Sequence, residues 1–159
     1  KEVTLFCGAN TAANVPLALS RSVAATGDRV EPIRDVPGLP GVTLVLSTDD
    51  GTAGLKGLVT AAMNAYAPSA DWSGAALYAC GPDAMMAAVA RLAAERRVSH
   101  CQVSLENYMG CAIGVCLSCV VKIRAATESG WTYKRVCVDG PVFEASDVLF
   151  ENAWEGCKR

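Results

Sequence analysis

The stretch Ala75 to Arg97, AALYACGPDAMMAAVARLAAERR, decides how the first two thirds of the chain fold. Its apolar run Ala75 to Ala79 reads as a strand, Cys80-Gly81-Pro82 as a turn, and Asp83 to Arg97 as a helix with Met85, Ala88, Val89 and Leu92 on one face. Asp83 follows Pro82 and opens the helix, its carboxylate facing the positive end of the helix dipole. Strand, turn and helix in that order are the repeating unit of a parallel α/β sheet.

Working toward the N-terminus, Val3 to Phe6 and Val42 to Leu46 are further β-type runs, and helical stretches are expected near Asn14 to Ala25 and over Leu58 to Tyr66. Gly27 is placed to close the earlier helix. Between Gly27 and Val42 lie 14 residues that include Pro32, Pro37 and Pro40, which leaves room for a short strand at Val30 to Ile33 and no full helix. The sheet is therefore expected to be shortened. Working toward the C-terminus, the pattern changes near Gln102. A short strand leads into a loop dense in Cys and Gly, and then Cys119 to Arg124 and Trp131 to Val136 alternate as a hairpin. The expected division is an α/β domain over 1–101 and a second, small domain over 102–159.

The 159 residues carry 14 basic and 16 acidic side chains with no block of like charge, so neither nucleic acid nor an anionic membrane surface is an expected partner. No apolar run approaches the roughly 20 residues that span a bilayer, and the Lys1-Glu2 start lacks a signal-peptide pattern. The expected location is the cytoplasm.

Eight cysteines in a chain this long and this rich in alanine do not read as a secreted disulfide scaffold, because four of them crowd between positions 111 and 137. The other four, Cys7, Cys80, Cys101 and Cys157, are scattered. The crowded set reads Cys111-x4-Cys116-x2-Cys119, then 17 residues to Cys137. This is the plant-type order of thiolates around a [2Fe–2S] cluster, with three ligands in one loop and the fourth expected from a following strand. Gly110 and Gly114 supply the close approach and backbone angles that such a loop needs. Two alternatives stand beside it. Structural zinc usually takes two C-x-x-C knuckles, and here there is one; buried thiols without metal would have no packing reason to gather. Lys122, Arg124, Lys134 and Arg135 fall on the hairpin, where positive charge would ease reduction of an anionic cluster, but the favoured reading is its solvated face; His100 is read as a surface or satisfied residue, and Trp131 and Trp154 as core near the cysteines.

Thr48-Asp49-Asp50-Gly51 with Gly54 and Lys56-Gly57, Cys80-Gly81-Pro82 with Met85, Ser104-Leu105-Glu106 ahead of the cysteines, and Asp139-Gly140-Pro141-Val142-Phe143 after Cys137 together resemble one family. It is the electron-transfer subunit of the NAD-linked, heterotetrameric dihydroorotate dehydrogenases, in the ferredoxin-reductase superfamily. The resemblance implies an NAD-module-like α/β domain followed by a [2Fe–2S] domain. It also implies a hetero-oligomeric flavoprotein complex of pyrimidine biosynthesis, in which the cluster links FAD to a flavin-containing catalytic subunit. On the same basis Asp49, Asp50, Gly51, Cys80, Gly81 and Pro82 would line the flavin and nicotinamide cleft. The bland alternative for Cys80-Gly81-Pro82 is a strand-to-helix turn with a buried thiol.

Two departures change what is expected. After the first strand the family has a run of glycines whose amides receive dinucleotide phosphates, and here the segment is Cys7-Gly8-Ala9-Asn10-Thr11-Ala12-Ala13-Asn14. Nicotinamide nucleotides are therefore expected to bind weakly or not at all, with Asn10, Thr11 and Asn14 instead capping the next helix. The sequence opens directly on the strand that in the family follows the FAD barrel, so FAD is expected only through a missing domain or a partner. Ala112 stands where the family commonly has glycine. The functional expectation is an electron-relay subunit of an oxidoreductase complex; a non-catalytic docking or relay module with a lost NAD site is the alternative.

Overall fold

β-branched and apolar residues run along Val3–Ala9 (β1) and Val42–Thr48 (β3), and the two strands pair in parallel from Val3 against Val42 to Ala9 against Thr48. The computed structural model describes residues 2–15, 23–34, 36–66 and 72–150. Contacts divide the chain into two units, Lys1–Ala70 and Asp71–Arg159. In the first unit the short strands Ala25–Gly27 (β2) and Gly54–Lys56 (β4) complete a parallel sheet of order β1-β3-β4-β2. The helix Val59–Tyr66 (α1) follows. Val45, Leu55 and Ala62 form the unit's buried cluster, with Phe6 and Tyr66 packed edge to face against it.

Three details differ from expectation. Ala25–Gly27 is a strand, so the helix expected to reach Ala25 does not do so; residues 16–22, its middle, lie outside the described residues. The short strand expected at Val30 to Ile33 is a single bridge, Ile33 exchanging both backbone hydrogen bonds with Leu44 at 2.7 and 2.8 Å. β4 escaped the sequence because three residues with a glycine at φ +61° show no alternation. That glycine is required: a Cβ on Gly54 would run into the backbone of Leu46.

The second unit joins Ala76–Cys80 (β5) in parallel to His100–Ser104 (β6), and β6 antiparallel to Val142–Glu144 (β9). β1 and β3 thus share one sheet while β5 belongs to another. Because β6 takes partners on both sides, the contact boundary falls between Ala70 and Asp71 rather than at 101/102. Helix Asp83–Glu95 (α2) begins at the expected residue, but its buried face is Met86, Ala87, Val89, Leu92 and Ala93, with Met85 and Ala88 half-buried. The hairpin forms as Val120–Arg124 (β7) and Trp131–Arg135 (β8), closed antiparallel. A single helical turn, Val136–Asp139 (α3), follows at once. The core of this unit gathers Met86, Val103, Leu105, Cys119, Ile123, Val136 and Val148.

Candidate metal centre

The loop from Gly110 to Cys119 connects the end of β6 to β7 and is bent by residues with positive φ: Ala112 at 55°, Gly114 at 83° and Leu117 at 55°. A left-handed backbone costs a non-glycine residue about 1–2 kcal/mol, and here two side chains accept it. The bends turn amides onto sulfur. The N–H of Cys116 lies 3.4 Å from Cys111 Sγ. With the Ile113 N–H, first in strength, the Cys116 side chain and the Val115 N–H, it pulls the half-buried Cys111 thiol down to a pKa of about 6. A thiol so held is thiolate at neutral pH, the form that binds metal. Gly110 has its reason in the same place: a Cβ there would stand 3.1 Å from Cys116 Sγ.

Cys119 is buried in the core of the unit, and its carbonyl accepts the Val136 N–H at 3.0 Å. Cys137 sits in the α3 turn rather than on a strand, because Arg135 ends β8 and its own N–H is taken by Asp139 Oδ2 at 2.8 Å. The backbone N–H of Cys137 and then its side chain lower the Cys119 pKa; the Cys137 pKa is raised, first by that same contact with Cys119 and then by burial. The four thiols therefore stand as two pairs, Cys111 with Cys116 and Cys119 with Cys137. Among the described residues no group of three or more His, Cys, Asp or Glu converges as a single-ion site would need. The donor set fits a two-iron cluster, which takes two thiolates per iron, better than one tetrahedral zinc.

Arg135 is the residue the sequence undervalued. Its Nε donates to Asp139 Oδ2 at 3.1 Å and its Nη1 to the Gly114 carbonyl at 2.9 Å, which ties the loop to the turn that carries Cys137. The Asp139 contacts chiefly, and the charges of Cys137 and Cys119 after them, raise its pKa. The signal was present as Asp139 four residues later, the spacing at which opposite charges meet on a helical turn. The other hairpin cations differ. Lys122 Nζ lies 4.6 Å from the Trp131 ring centre, and Arg124 Nε donates to the Ser146 carbonyl at 3.3 Å. Trp131 is not core: it is half-buried on the hairpin, edge to face with Tyr133. Trp154 and Cys157 lie outside the described residues. His100 pairs with Glu144 at 3.5 Å.

The residues expected to line a nucleotide cleft fall in both units. In the first, Asp49 and Asp50 are exposed and donate their N–H groups to the carbonyls of Ala9 and Asn10, and Gly51 turns at φ +76°. In the second, Cys80 ends β5 with an exposed rather than buried thiol, Gly81 turns at φ +152° against Met85, and Pro82 leads into α2. Thr11 makes no side-chain cap, contrary to expectation; the Ala12 N–H goes instead to Thr52 Oγ1 at 2.8 Å. Gly8 is needed for packing, since a Cβ would stand 2.9 Å from Val59 Cβ.

The described residues form a mixed α/β fold with a parallel sheet, and a loop in the second unit aims amides at thiols. Residues 106–149 match the family described as the iron–sulfur cluster binding domain of dihydroorotate dehydrogenase B. Beyond it, the chain is related to the electron transfer subunits of dihydroorotate dehydrogenase B (NAD(+)). It is 43% identical to that of Caldanaerobacter subterraneus subsp. tengcongensis over 107 residues, 67% of this chain and 40% of the relative. It is 36% identical to that of Desulforamulus reducens over 151 residues, 94% of this chain and 49% of the relative. The chain thus spans about half or less of those relatives. A solved structure of an NADH-dependent reduced ferredoxin-NADP oxidoreductase matches 72% of this chain and 38% of its own, with a TM-score of 0.55 and 29% identity. Among the described residues no helix is long and apolar enough to cross a membrane.

Proposed function

We propose that this chain relays electrons between a flavin and nicotinamide site and a catalytic partner subunit of the dihydroorotate dehydrogenase kind, through a [2Fe–2S] cluster on Cys111, Cys116, Cys119 and Cys137. The observation that carries it is the pairing of these four thiols, in a loop whose Cys116 N–H lies 3.4 Å from Cys111 Sγ. When bound, the cluster supplies one-electron transfer, which a flavin couples to hydride chemistry. The chain's own part is to hold the thiolates, keep Cys119 in the core and present the loop. As a functional division, residues 1–101 are an NAD-module-like scaffold and 102–159 carry the cluster. Free thiols and a thiolate site suit the reducing cytoplasm.

The partner docks over the loop from Glu106 to Cys119. Tyr108, Ile113 and Val115 expose 93%, 73% and 73% of their surface there, and Met109, Leu117 and Val138 are exposed as well. An apolar patch of this kind is characteristic of an interaction surface. FAD enters through another domain or the partner. Nicotinamide nucleotides bind weakly at most, because the Ala12 amide is already taken by Thr52 and side chains occupy the loop where glycines would let phosphate approach.

Anaerobic purification tests the cluster: a brown protein with about two irons and two sulfides per chain, and an electron paramagnetic signal on reduction, is expected. A colourless protein with stoichiometric zinc overturns it. Calorimetric titration with NAD and NADP tests the scaffold, and micromolar affinity would restore a nucleotide site.

A further inference from the structure

Among the four cations of the hairpin segment, Arg135 is held by both the cysteine loop and the turn that carries Cys137. Lys122 is drawn over an indole, Arg124 reaches a carbonyl on the far segment, and Lys134 is exposed and adds a lesser attraction to Asp139. Arg135 is at once the last residue of β8 and the residue that caps α3, so backbone and side chain are fixed together. Its N–H and Nε converge on one oxygen, Asp139 Oδ2, and its Nη1 reaches the Gly114 carbonyl. Gly114 is needed for that approach: its φ is +83°, and a Cβ would stand 2.6 Å from Val138 Cγ2 and 3.4 Å from Arg135 Nη1.

We propose that Arg135 is a positioning residue that locks the Gly110–Cys119 loop to the Cys137 turn and, by its fixed positive charge, makes the bound cluster easier to reduce. This rests on the cluster assigned above. Adding one electron to the site deepens its negative charge by one unit, and a nearby fixed cation favours the more negative state. The guanidinium remains charged at every working pH, so its contribution is constant. Asp139 has the opposite sign and offsets part of the field while aiming the fork.

The experiment is a redox titration, followed by visible absorption and paramagnetic resonance, of the parent chain and of Arg135→Gln, Arg135→Lys and Lys134→Gln. Arg135→Gln should lower the reduced-to-oxidised ratio at a fixed potential about tenfold, which is 59 mV for one electron. Arg135→Lys should restore most of it, and Lys134→Gln should move it less than Arg135→Gln. An Arg135→Gln cluster at the parent potential, or equal shifts in Arg135→Gln and Lys134→Gln, overturns the proposal. If Arg135→Gln does not retain iron, Arg135→Lys decides: a potential near the parent's, with the charge kept, supports the proposal and one about 59 mV or more below it overturns it. A parent chain without iron and sulfide instead overturns the cluster itself, an outcome read from composition before any potential is measured.

Discussion

Two loops in this chain could each turn backbone amides toward an anion, and they do opposite things with them. After β1, the Ala12 N–H is taken by the Thr52 hydroxyl, the Asn14 N–H by the Thr11 carbonyl and the Val15 N–H by the Ala12 carbonyl. In the cysteine loop, the amides of Ile113, Val115 and Cys116 face the sulfur of Cys111. The first loop satisfies itself; the second satisfies a ligand atom built into the chain. Amides stay oriented toward an anion when the anion's anchor is covalent, whereas a phosphate must arrive from solvent and find them free. Glycine use follows the same split, with Gly8, on β1 just ahead of the first loop, serving helix packing and Gly114 in the second loop serving curvature.

The comparison breaks most sharply at the thiols. Cys116→Ser and Cys119→Ser should each abolish the visible absorption of the anaerobically prepared protein, while Cys101→Ser leaves iron content unchanged. Cys101 is half-buried on β6, outside the two cysteine pairs, and burial first and Glu144 second push its thiol pKa up. Equal iron loss in all three would mean that the two pairs are not the anchors.

A smaller effect should follow from the loop's curvature. Gly114→Ala forces a side chain into a left-handed backbone, at about 1–2 kcal/mol, and drives a methyl group against Val138. The expected result is a lower urea midpoint and slower cluster reconstitution, with the cysteines intact. Gly130→Ala is the fitting control, since it has a similar φ of +77° but open space around it. If the two variants lose the same stability, the contact with Val138 contributes nothing.

The sequence revealed what depends on local spacing. The four cysteines stood in the sequence only as a spaced set, whereas the α2 start at Asp83 and the β7 to β8 hairpin were legible because each is written in consecutive residues. β4 and β9 were not: three-residue strands gain their identity from a neighbour, β9 pairing with β6 some forty positions earlier. Cys137 was read as a strand residue because Trp131 to Val136 alternates. The Asp139 carboxylate takes the Arg135 N–H and ends the strand there, a local capping contact that alternation does not encode. The same blindness hid Arg135 among the surface cations.

Ala112 sharpens the comparison further, because the loop bends at a residue that is not glycine. Its φ of 55° costs about 1–2 kcal/mol. Glycine would remove that strain but give up about 0.4–1 kcal/mol of unfolded-state restraint. Ala112→Gly should therefore stabilise the chain by roughly 0.5 kcal/mol, visible as a small rise in the urea midpoint and no change in iron content. A fall in the midpoint would mean that the alanine methyl makes a compensating contact.

The smallest effect belongs to the self-satisfied loop and reads its hydrogen-bond relay through pH. Asp50 Oδ1 accepts from the Thr52 N–H at 2.9 Å and from the Thr52 hydroxyl at 2.7 Å, and that hydroxyl in turn accepts the Ala12 N–H. The hydroxyl first, and then the amide, hold the Asp50 carboxyl below its ordinary pKa. A folded pKa lower than the unfolded one means that the native state favours the carboxylate. The stabilisation is therefore complete above the unfolded value, about 3.9, and disappears as pH falls through the folded value. Asp50→Asn keeps an acceptor oxygen but not the charge that strengthens the bonds. Urea midpoints of parent and variant should differ slightly at pH 6 and converge as pH falls through the folded value. The Ala12 amide, its acceptor loosened, should exchange with deuterium faster in the variant. Midpoint curves that run parallel through the acid range would show that Asp50 does not feed the relay, and the Ala12 amide would then be held by Thr52 alone.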